Sequence, residues 1–289
     1  MVADHDIFDR RLLTSRRNRV ARDAGAHQFL LERVADDIVA RLGVLNRKFP
    51  VALNLGAHHG LLGRRLRRVP GVEMVIDADP AAQLLAQCGG PRVQADEEFL
   101  PFADRSLDLV VSGLALHLTN DLPGTLVQIR RALKPDGLLL AAALGGGTLH
   151  ELRHSLLVAE EEGERGASPR VAPFADIQSL GALLERARFA LPVADSETVT
   201  VSYPDALALM HELRAMGASN MLRGRRRSPL RRATLWRALA CYRETFALPN
   251  GRVPATFEII TLTAWAPTDN DHRPERLVPA TRARAGVPR

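Results

Sequence analysis

Between residues 51 and 144 the chain alternates short apolar runs with amphipathic stretches. Runs such as VALNL at 51–55 and LDLVVSGL at 107–114 are continuously apolar, which predicts strands buried on both faces of a sheet. The segments between them place their apolar residues at helical spacing. This alternation predicts an α/β domain with a doubly wound, mostly parallel sheet. In such a sheet, a ligand is expected outside the carboxyl ends of the strands.

The segments on either side of this core are predicted to pack against it. Two late apolar runs, at 198–203 and 256–265, suit an antiparallel pair of strands that closes one edge of the sheet. The predicted helices around them form a cap inserted before the last strand. We therefore expect four segments in chain order: N-terminal helices at 1–48, a ligand-binding core at 49–147, a helical cap with the closing strands at 148–266, and a disordered tail at 267–289.

The composition is that of a folded globular protein. Of the 289 residues, 46% are hydrophobic and 25% are charged, which excludes a mainly disordered chain. The apolar runs fall well short of the ~20 residues that a helix needs to cross a bilayer. We expect a cytoplasmic protein without a transmembrane segment, with at most peripheral membrane contact.

The net charge of +6 is weak evidence for a nucleic-acid partner. The basic residues are 37 Arg and only 2 Lys, a bias that a GC-rich genome produces without selection for any partner. Aromatic residues, at 4%, are too few for stacking along a single strand, so no nucleic acid is expected. The charge is concentrated only at 223–232, RGRRRSPLRR, which is either a solvated loop or a site for an anionic partner.

Three polar signals follow three of the predicted strands. The turn NLGAHHG at 54–60 offers glycines for close backbone approach and free amide groups. Asp77 ends the second strand, where a carboxylate could accept hydrogen bonds from ribose hydroxyls, and Asp96 follows the third strand, where it could accept one from an adenine amino group. Together they predict a nucleoside-like cofactor. The lack of a complete G-x-G-x-x-G argues against a dinucleotide.

These motifs resemble, in order and spacing, the class I methyltransferases that bind S-adenosylmethionine. The matching stretches are LNLGAHHG, ADEEFLPF, LDLVVSGLALH and ALKPDG. A narrower set resembles the complex I assembly-factor branch of that superfamily: IFDRRL, LHLTNDLP, LGGGTLHELRHSL, SPRVAPF and LRAMGASN. The resemblance implies a seven-stranded Rossmann-like methyltransferase sheet. It also implies an enzyme that methylates or hydroxylates a protein side chain, with a NADH dehydrogenase subunit as partner.

The resemblance also assigns residues to a cofactor site. The loop after the first strand would line the methionine end, Asp77 would hold the ribose, and Ser112 would lie against the sulfonium. The full implied set is Gly56, Ala57, His58, Gly60, Asp77, Ala78, Asp96, Glu97 and Ser112. His117 would face the substrate, and His117 and Asp121 are the nearest candidates for a general base.

Two departures from the family's pattern concern the glycine loop. Asn54 stands where the family usually has an acid, and His58 stands where it has a glycine. If His58 adopts a positive φ, the cost is roughly 1 kcal/mol. The altered loop leaves open a non-catalytic assembly chaperone with a degenerate cofactor site. A small-molecule O-methyltransferase like those acting on malonyl carriers also stays open, because those enzymes share the core.

A second motif, HELRH at 150–154, matches the zinc-binding pattern H-E-x-x-H. It would place both imidazoles on one face of a helix, with Glu151 as a potential base. The motif by itself indicates no third metal ligand. A helix that exposes two histidines on one face explains the pattern more simply than a zinc site. We expect no metal here.

Overall fold

The computed structural model describes residues 6–163 and 166–268, which form one seven-stranded sheet with helices on both faces. The strands are β1 Val51–Leu55, β2 Met74–Ala78, β3 Arg92–Val93, β4 Leu107–Gly113, β5 Leu133–Leu144, β6 Ala190–Tyr203 and β7 Val253–Trp265. The helices are α1 Arg10–Val20, α2 Phe29–Gly43, α3 Leu61–Leu66, α4 Ala82–Leu85, α5 Leu122–Ala132, α6 His150–Gly163, α7 Ile177–Arg186, α8 Ala206–Ala215 and α9 Arg232–Phe246. Most of the predicted tail, from 269 on, lies outside the described residues.

The strand order is β3-β2-β1-β4-β5-β7-β6, which confirms the predicted doubly wound sheet. Strands β1 to β5 pair in parallel, whereas β7 runs antiparallel to both β5 and β6. The chain reverses its direction of winding at β1, which lies between β2 and β4. Ligands of such sheets bind at this switch point.

Alternate residues of the central strands support helices on opposite faces. Leu109 and Val111 belong to the core beneath α2 and α3, and Val110 belongs to the core beneath α5 and α7. All three are fully buried. Burial of such a side chain contributes roughly 1.5–3 kcal/mol, so the sheet is a rigid base for the loops at its carboxyl edge.

Two strand boundaries differ from the prediction. β6 begins at Ala190 rather than at 198, because its first half is an edge strand in which polar residues interrupt the apolar run. Two of these, Asp195 and Glu197, pair with arginines of α2, so the usual apolar signal is missing. The sequence KPDG at 134–137 is typical of a turn, but it lies inside β5 at a register irregularity, with Asp136 at φ 62°.

The segment ahead of the core is tied to the loop between α8 and α9. The Asp9 side chain caps α1 by accepting from Leu12 N at 3.1 Å, and the Asp9 amide donates to Met221 O at 2.9 Å. Phe8 and Leu222 form an isolated β-bridge. These contacts hold α1 across the carboxyl edge of the sheet. No helix in the described ranges is both long enough and apolar enough to cross a membrane.

Candidate functional site

The loop after β1 brings its backbone close to the end of β4. Gly56, His58 and Gly60 all have positive φ, of 68°, 51° and 81°. A Cβ added to Gly56 would lie 2.1 Å from the Cβ of Ala115, so only glycine fits there. The amides of Gly56 and Ala57 both donate to the Ala78 carbonyl at 2.9 Å. The loop is thus fixed to β2 by backbone hydrogen bonds.

His58 occupies the centre of this loop with its side chain turned toward β4. Its ring Nε2 lies 3.1 Å from the Gly113 carbonyl oxygen. Burial lowers the pKa of His58 well below its usual value, and the charge of Arg17 lowers it further. The ring is therefore neutral, and the carbonyl partner assigns the proton to Nε2. The imidazole spans the gap between the two strand ends.

Two fully buried carboxylates lie beside this loop. The Asp79 side chain accepts from His58 N at 2.9 Å and from Ala81 N at 2.7 Å. Its pKa is raised to about 6, mainly by burial and further by the nearby Glu97, while Arg17 opposes the rise. Glu97 has no exposed surface, and its Oε1 has no hydrogen-bond partner within the described part of the chain.

Helix α1 supplies the positive charge that faces these acids. Arg17 is 4% exposed, and its Nη1 lies 3.7 Å from a carboxylate oxygen of both Asp79 and Glu97. Arg10, at the start of the same helix, donates to Asp96 at 2.7 Å and also to Glu97. The arginines thus partly neutralise the acids and close the cleft from above.

The structure places Asp77 away from this cleft. Its carboxylate accepts from Asn54 Nδ2 at 2.8 Å and from Arg67 Nη2 at 2.5 Å, beneath α3. A Cβ on Gly63 would approach Asp77 Oδ1 to 2.2 Å, which shows how closely the helix covers it. The acid that faces the loop is Asp79, two residues later. Asp77 and Asp96 therefore do not face a common hollow.

Asp79 and Arg17 are the site residues that the sequence analysis missed. β2 ends at Ala78, so Asp79 is the first residue beyond the strand, and its position just before Pro80 was the available signal. Arg17 carried none, because it lies on a helix remote in sequence from the motifs.

Besides Arg10 Nε, four buried polar atoms around the cleft have no hydrogen-bond partner among the residues that the structure describes. They are Arg17 Nη1, Glu97 Oε1, Ser112 Oγ and His117 Nδ1. Buried polar groups are nearly always satisfied, and each exception calls for an explanation. A bound polar molecule that reaches several of them would supply the missing partners.

Neither candidate for a general base is well suited to that role. His117 packs edge-on against Phe174 at 5.1 Å, and burial, aided by Arg17, lowers its pKa to about 3. An imidazole with that pKa binds a proton too weakly to act as a base near neutral pH. Asp121 is the exposed N-cap of α5 and accepts from Gly124 N at 2.8 Å.

The HELRH residues have structural partners. Glu151 is buried and accepts from Thr256 Oγ1 at 2.5 Å, which anchors α6 to β7. The rings of His150 and His154 both lie edge-on against Phe246, with centroids 6.2 and 5.7 Å away. Glu151 is thus held by β7, while its Oε2 also lies 3.6 Å from His150 Nδ1.

Comparisons with known proteins agree with this architecture. A methyltransferase-domain family matches residues 53–141. The mitochondrial arginine hydroxylase NDUFAF5 of Mus musculus is 40% identical over 283 residues, covering 96% of this chain and 82% of its own length. This chain belongs to the class I methyltransferase superfamily. Within it, the chain falls in the branch of the arginine hydroxylases.

Other methyltransferase-fold proteins are also similar. A malonyl-[acyl-carrier protein] O-methyltransferase of Gallionella capsiferriformans is 32% identical, covering 92% of this chain and 94% of its own length. The YcgJ protein of Bacillus subtilis superposes with a TM-score of 0.57 at 14% identity, covering 82% of this chain and 99% of its own. This last likeness shows the methyltransferase fold alone.

Members of the methyltransferase superfamily bind S-adenosylmethionine, and the cleft supplies acceptors for one end of that molecule, although Arg10 and Arg17 lie against these acceptors in this structure. Asp79 and Glu97 are acceptors suited to the hydroxyl and amino groups of an adenosine, and the unpartnered atoms around them could bind it. The methionine end fits less well, because the His58 ring fills the gap beside Gly113.

Proposed function

We propose that this protein is an S-adenosylmethionine-dependent enzyme that modifies a protein side chain, by methylation or by arginine hydroxylation, on a subunit of the respiratory NADH dehydrogenase. The observation that carries the proposal is the extent of the likeness to the arginine hydroxylase. It covers 96% of this chain, well beyond the methyltransferase domain at 53–141. It therefore includes α1 and the cap, which surround the cleft on its substrate side.

The proposed roles follow from the charges in the cleft. Asp79 and Glu97 would accept the hydrogen bonds of the cofactor's nucleoside, and Gly56 lets the loop beside them pack against Ala115. The bound cofactor would supply an activated methyl group for methylation. Arg17 opposes the rise in the pKa of Asp79 before the ligand enters, because an opposite charge favours the charged form of a carboxyl group.

A non-catalytic assembly chaperone is the second candidate, and two contacts favour it. The His58 ring is hydrogen-bonded across the gap, and Arg17 already faces both acids. A protein that had given up the cofactor could keep both contacts permanently. A methyltransferase acting on a malonyl carrier is a third candidate, supported by the likeness to the Gallionella enzyme.

Mass spectrometry of the NADH dehydrogenase subunits tests the proposal. We expect a subunit peptide from the wild-type strain to carry one oxygen or one methyl group that the deletion strain lacks. Complementation with wild-type protein or with Asp104→Asn, an exposed acid remote from the cleft, should restore it, whereas Asp79→Asn should not. Identical subunits in the wild-type and deletion strains would contradict an enzymatic role and favour the chaperone.

A further inference from the structure

A cavity of about 370 Å³ extends from the cleft beneath α1 toward the cap. This volume lies in the range of pockets that hold small-molecule ligands. Its walls are largely leucines, with Phe174 and Phe257 and three methionines, Met210, Met216 and Met221. Methionine side chains are flexible and adapt to varied apolar shapes. The apolar side chains that line the cavity therefore favour a ligand with a hydrocarbon chain.

The charged groups along this cavity are all of one sign. Among the described residues that line it, none is an aspartate or a glutamate, whereas Arg17, Arg170 and Arg214 are present. Arg170 is paired with Glu160, and Arg17 faces the acids of the cleft. A cationic guest, such as a free guanidinium, would find no counter-charge in the cavity.

A second, shallower depression adjoins the cavity and is ringed by arginines. Arg16, Arg19 and Arg214 line it, and it shares Val20 and Gly217 with the cavity. Arg19 and Arg214 are exposed and have no ion-pair partner within residues 6–163 and 166–268. Arg16 donates to the Asn220 carbonyl at 2.5 Å.

The charges around Arg16 show that this depression is electropositive. The pKa of Arg16 is lowered by burial and by the neighbouring Arg225 and Arg19, while Asp9 opposes the shift. Asp9 caps α1 and pairs with Arg225, so it is not free to neutralise the group. An anion bound here would relieve the repulsion among the arginines.

We propose that the cavity binds an amphipathic anion: an unbranched hydrocarbon chain beneath the cap, with its carboxylate or phosphate head against Arg16, Arg19 and Arg214. The apolar walls and the arginine rim are contiguous, so one molecule can occupy both. This inference goes beyond the proposed function and does not depend on cofactor binding. It assigns the cavity to a ligand distinct from an arginine side chain.

Calorimetric titration of the full chain with three matched probes tests the charge requirement. The probes are decanoate, decanol and decyltrimethylammonium, each below its micelle concentration. We expect decanoate to bind most tightly and decyltrimethylammonium most weakly. Equal affinity for the three, or no binding of decanoate at millimolar concentration, would overturn the proposal.

Variants locate the bound anion. Arg214→Gln should weaken decanoate binding about two- to fivefold, the range expected for an exposed ion pair. Arg186→Gln is the matched control, because Arg186 is also an exposed arginine in the last turn of a helix, α7, away from the cavity. Met216→Trp should reduce binding of both decanoate and decanol by filling the cavity, with thermal melting used to confirm that the variant is folded. Equal effects of Arg214→Gln and Arg186→Gln would count against the arginine rim.

The source of the anion is tested with lipid vesicles. Sedimentation with vesicles of phosphatidylglycerol would detect a membrane surface as the partner. Binding to monomeric decanoate that survives without vesicles supports the cavity, and decanoate should compete with any vesicle binding. Vesicle binding that decanoate fails to displace, with no decanoate binding in solution, would refute the cavity as the site.

Discussion

Replacing Arg17 with methionine removes the positive charge between two buried acids. Asp79 and Glu97 have no exposed surface, and each has a carboxylate oxygen 3.7 Å from Arg17 Nη1. Methionine keeps much of the length and apolar volume of the arginine stem, so the change tests charge more than packing. The variant should be strongly destabilised at neutral pH because Asp79 then loses its arginine partner and faces Glu97, which stays paired with Arg10.

The magnitude follows from the burial of all three groups. At an effective dielectric constant of about 20, a pair 3.7 Å apart interacts by about 4–5 kcal/mol before desolvation is counted. Removing one partner of a buried pair costs about 3–5 kcal/mol. We therefore expect Arg17→Met to lower the free energy of unfolding by about 3–5 kcal/mol above pH 7.

The loss should shrink as the pH falls. The pKa of Asp79 in the folded protein, about 6, lies above its ordinary value of 3.8. Between these values the folded state binds more protons than the unfolded state, so stability rises as the pH falls through about 6 toward 4. Without Arg17 this pKa rises further. Protonation of Asp79 then removes much of the repulsion, and the gap between variant and wild type narrows near pH 5.

Urea denaturation at pH 5 and pH 8 measures both effects. Arg11→Met is the matched control, since Arg11 lies on the same helix and is exposed. It should change the free energy of unfolding by less than about 0.5 kcal/mol at either pH. The reasoning is refuted if Arg17→Met and Arg11→Met behave alike, or if the loss at Arg17 is the same at both pH values.

Four further substitutions test other parts of the account. Gly63→Ala should destabilise the protein, because the added Cβ meets Asp77 Oδ1 at 2.2 Å. Gly181→Ala, in open space within α7, should instead stabilise it by about 0.5–1 kcal/mol. Thermal melts distinguish the two variants. His58→Gly should strengthen S-adenosylmethionine binding in calorimetry by clearing the gap and removing a side chain from a positive φ, and an unchanged affinity would show that the ring does not obstruct the cofactor. Glu151→Gln should lower the free energy of unfolding, measured in urea, by about 1–3 kcal/mol, because it weakens the contact with Thr256. A melting temperature that rises with zinc in wild type but not in this variant would instead reveal a metal site.

The sheet could be predicted from the sequence because its strands are buried on both faces. A continuous apolar run such as 107–114, flanked by segments with helical periodicity, predicts a strand that is buried on both faces of a parallel sheet. The first half of β6 was not predicted, because an edge strand is apolar on one face at most and therefore shows no continuous apolar run. There Asp195 and Glu197 make ion pairs with α2, a contact that local pattern cannot reveal.

The site was predicted less completely, because it depends on where an acid lies after a strand and on a helix that is distant in the sequence. The glycine loop and Glu97 do lie at the cleft. However, a difference of two residues decides whether an acid points under α3, as Asp77 does, or toward the loop, as Asp79 does. Arg17 reaches the acids only through the packing of α1 across the sheet, which no motif records.

Calorimetric titration with S-adenosylmethionine tests most directly whether this cleft holds the cofactor. The account predicts micromolar binding to wild type, weakened about tenfold or more by Asp79→Asn, since a hydrogen bond to a charged group contributes about 1.5–3 kcal/mol. Asp77→Asn, checked for folding by thermal melting, should weaken binding less. No binding at millimolar cofactor, or full affinity in Asp79→Asn with loss in Asp77→Asn, would contradict the account.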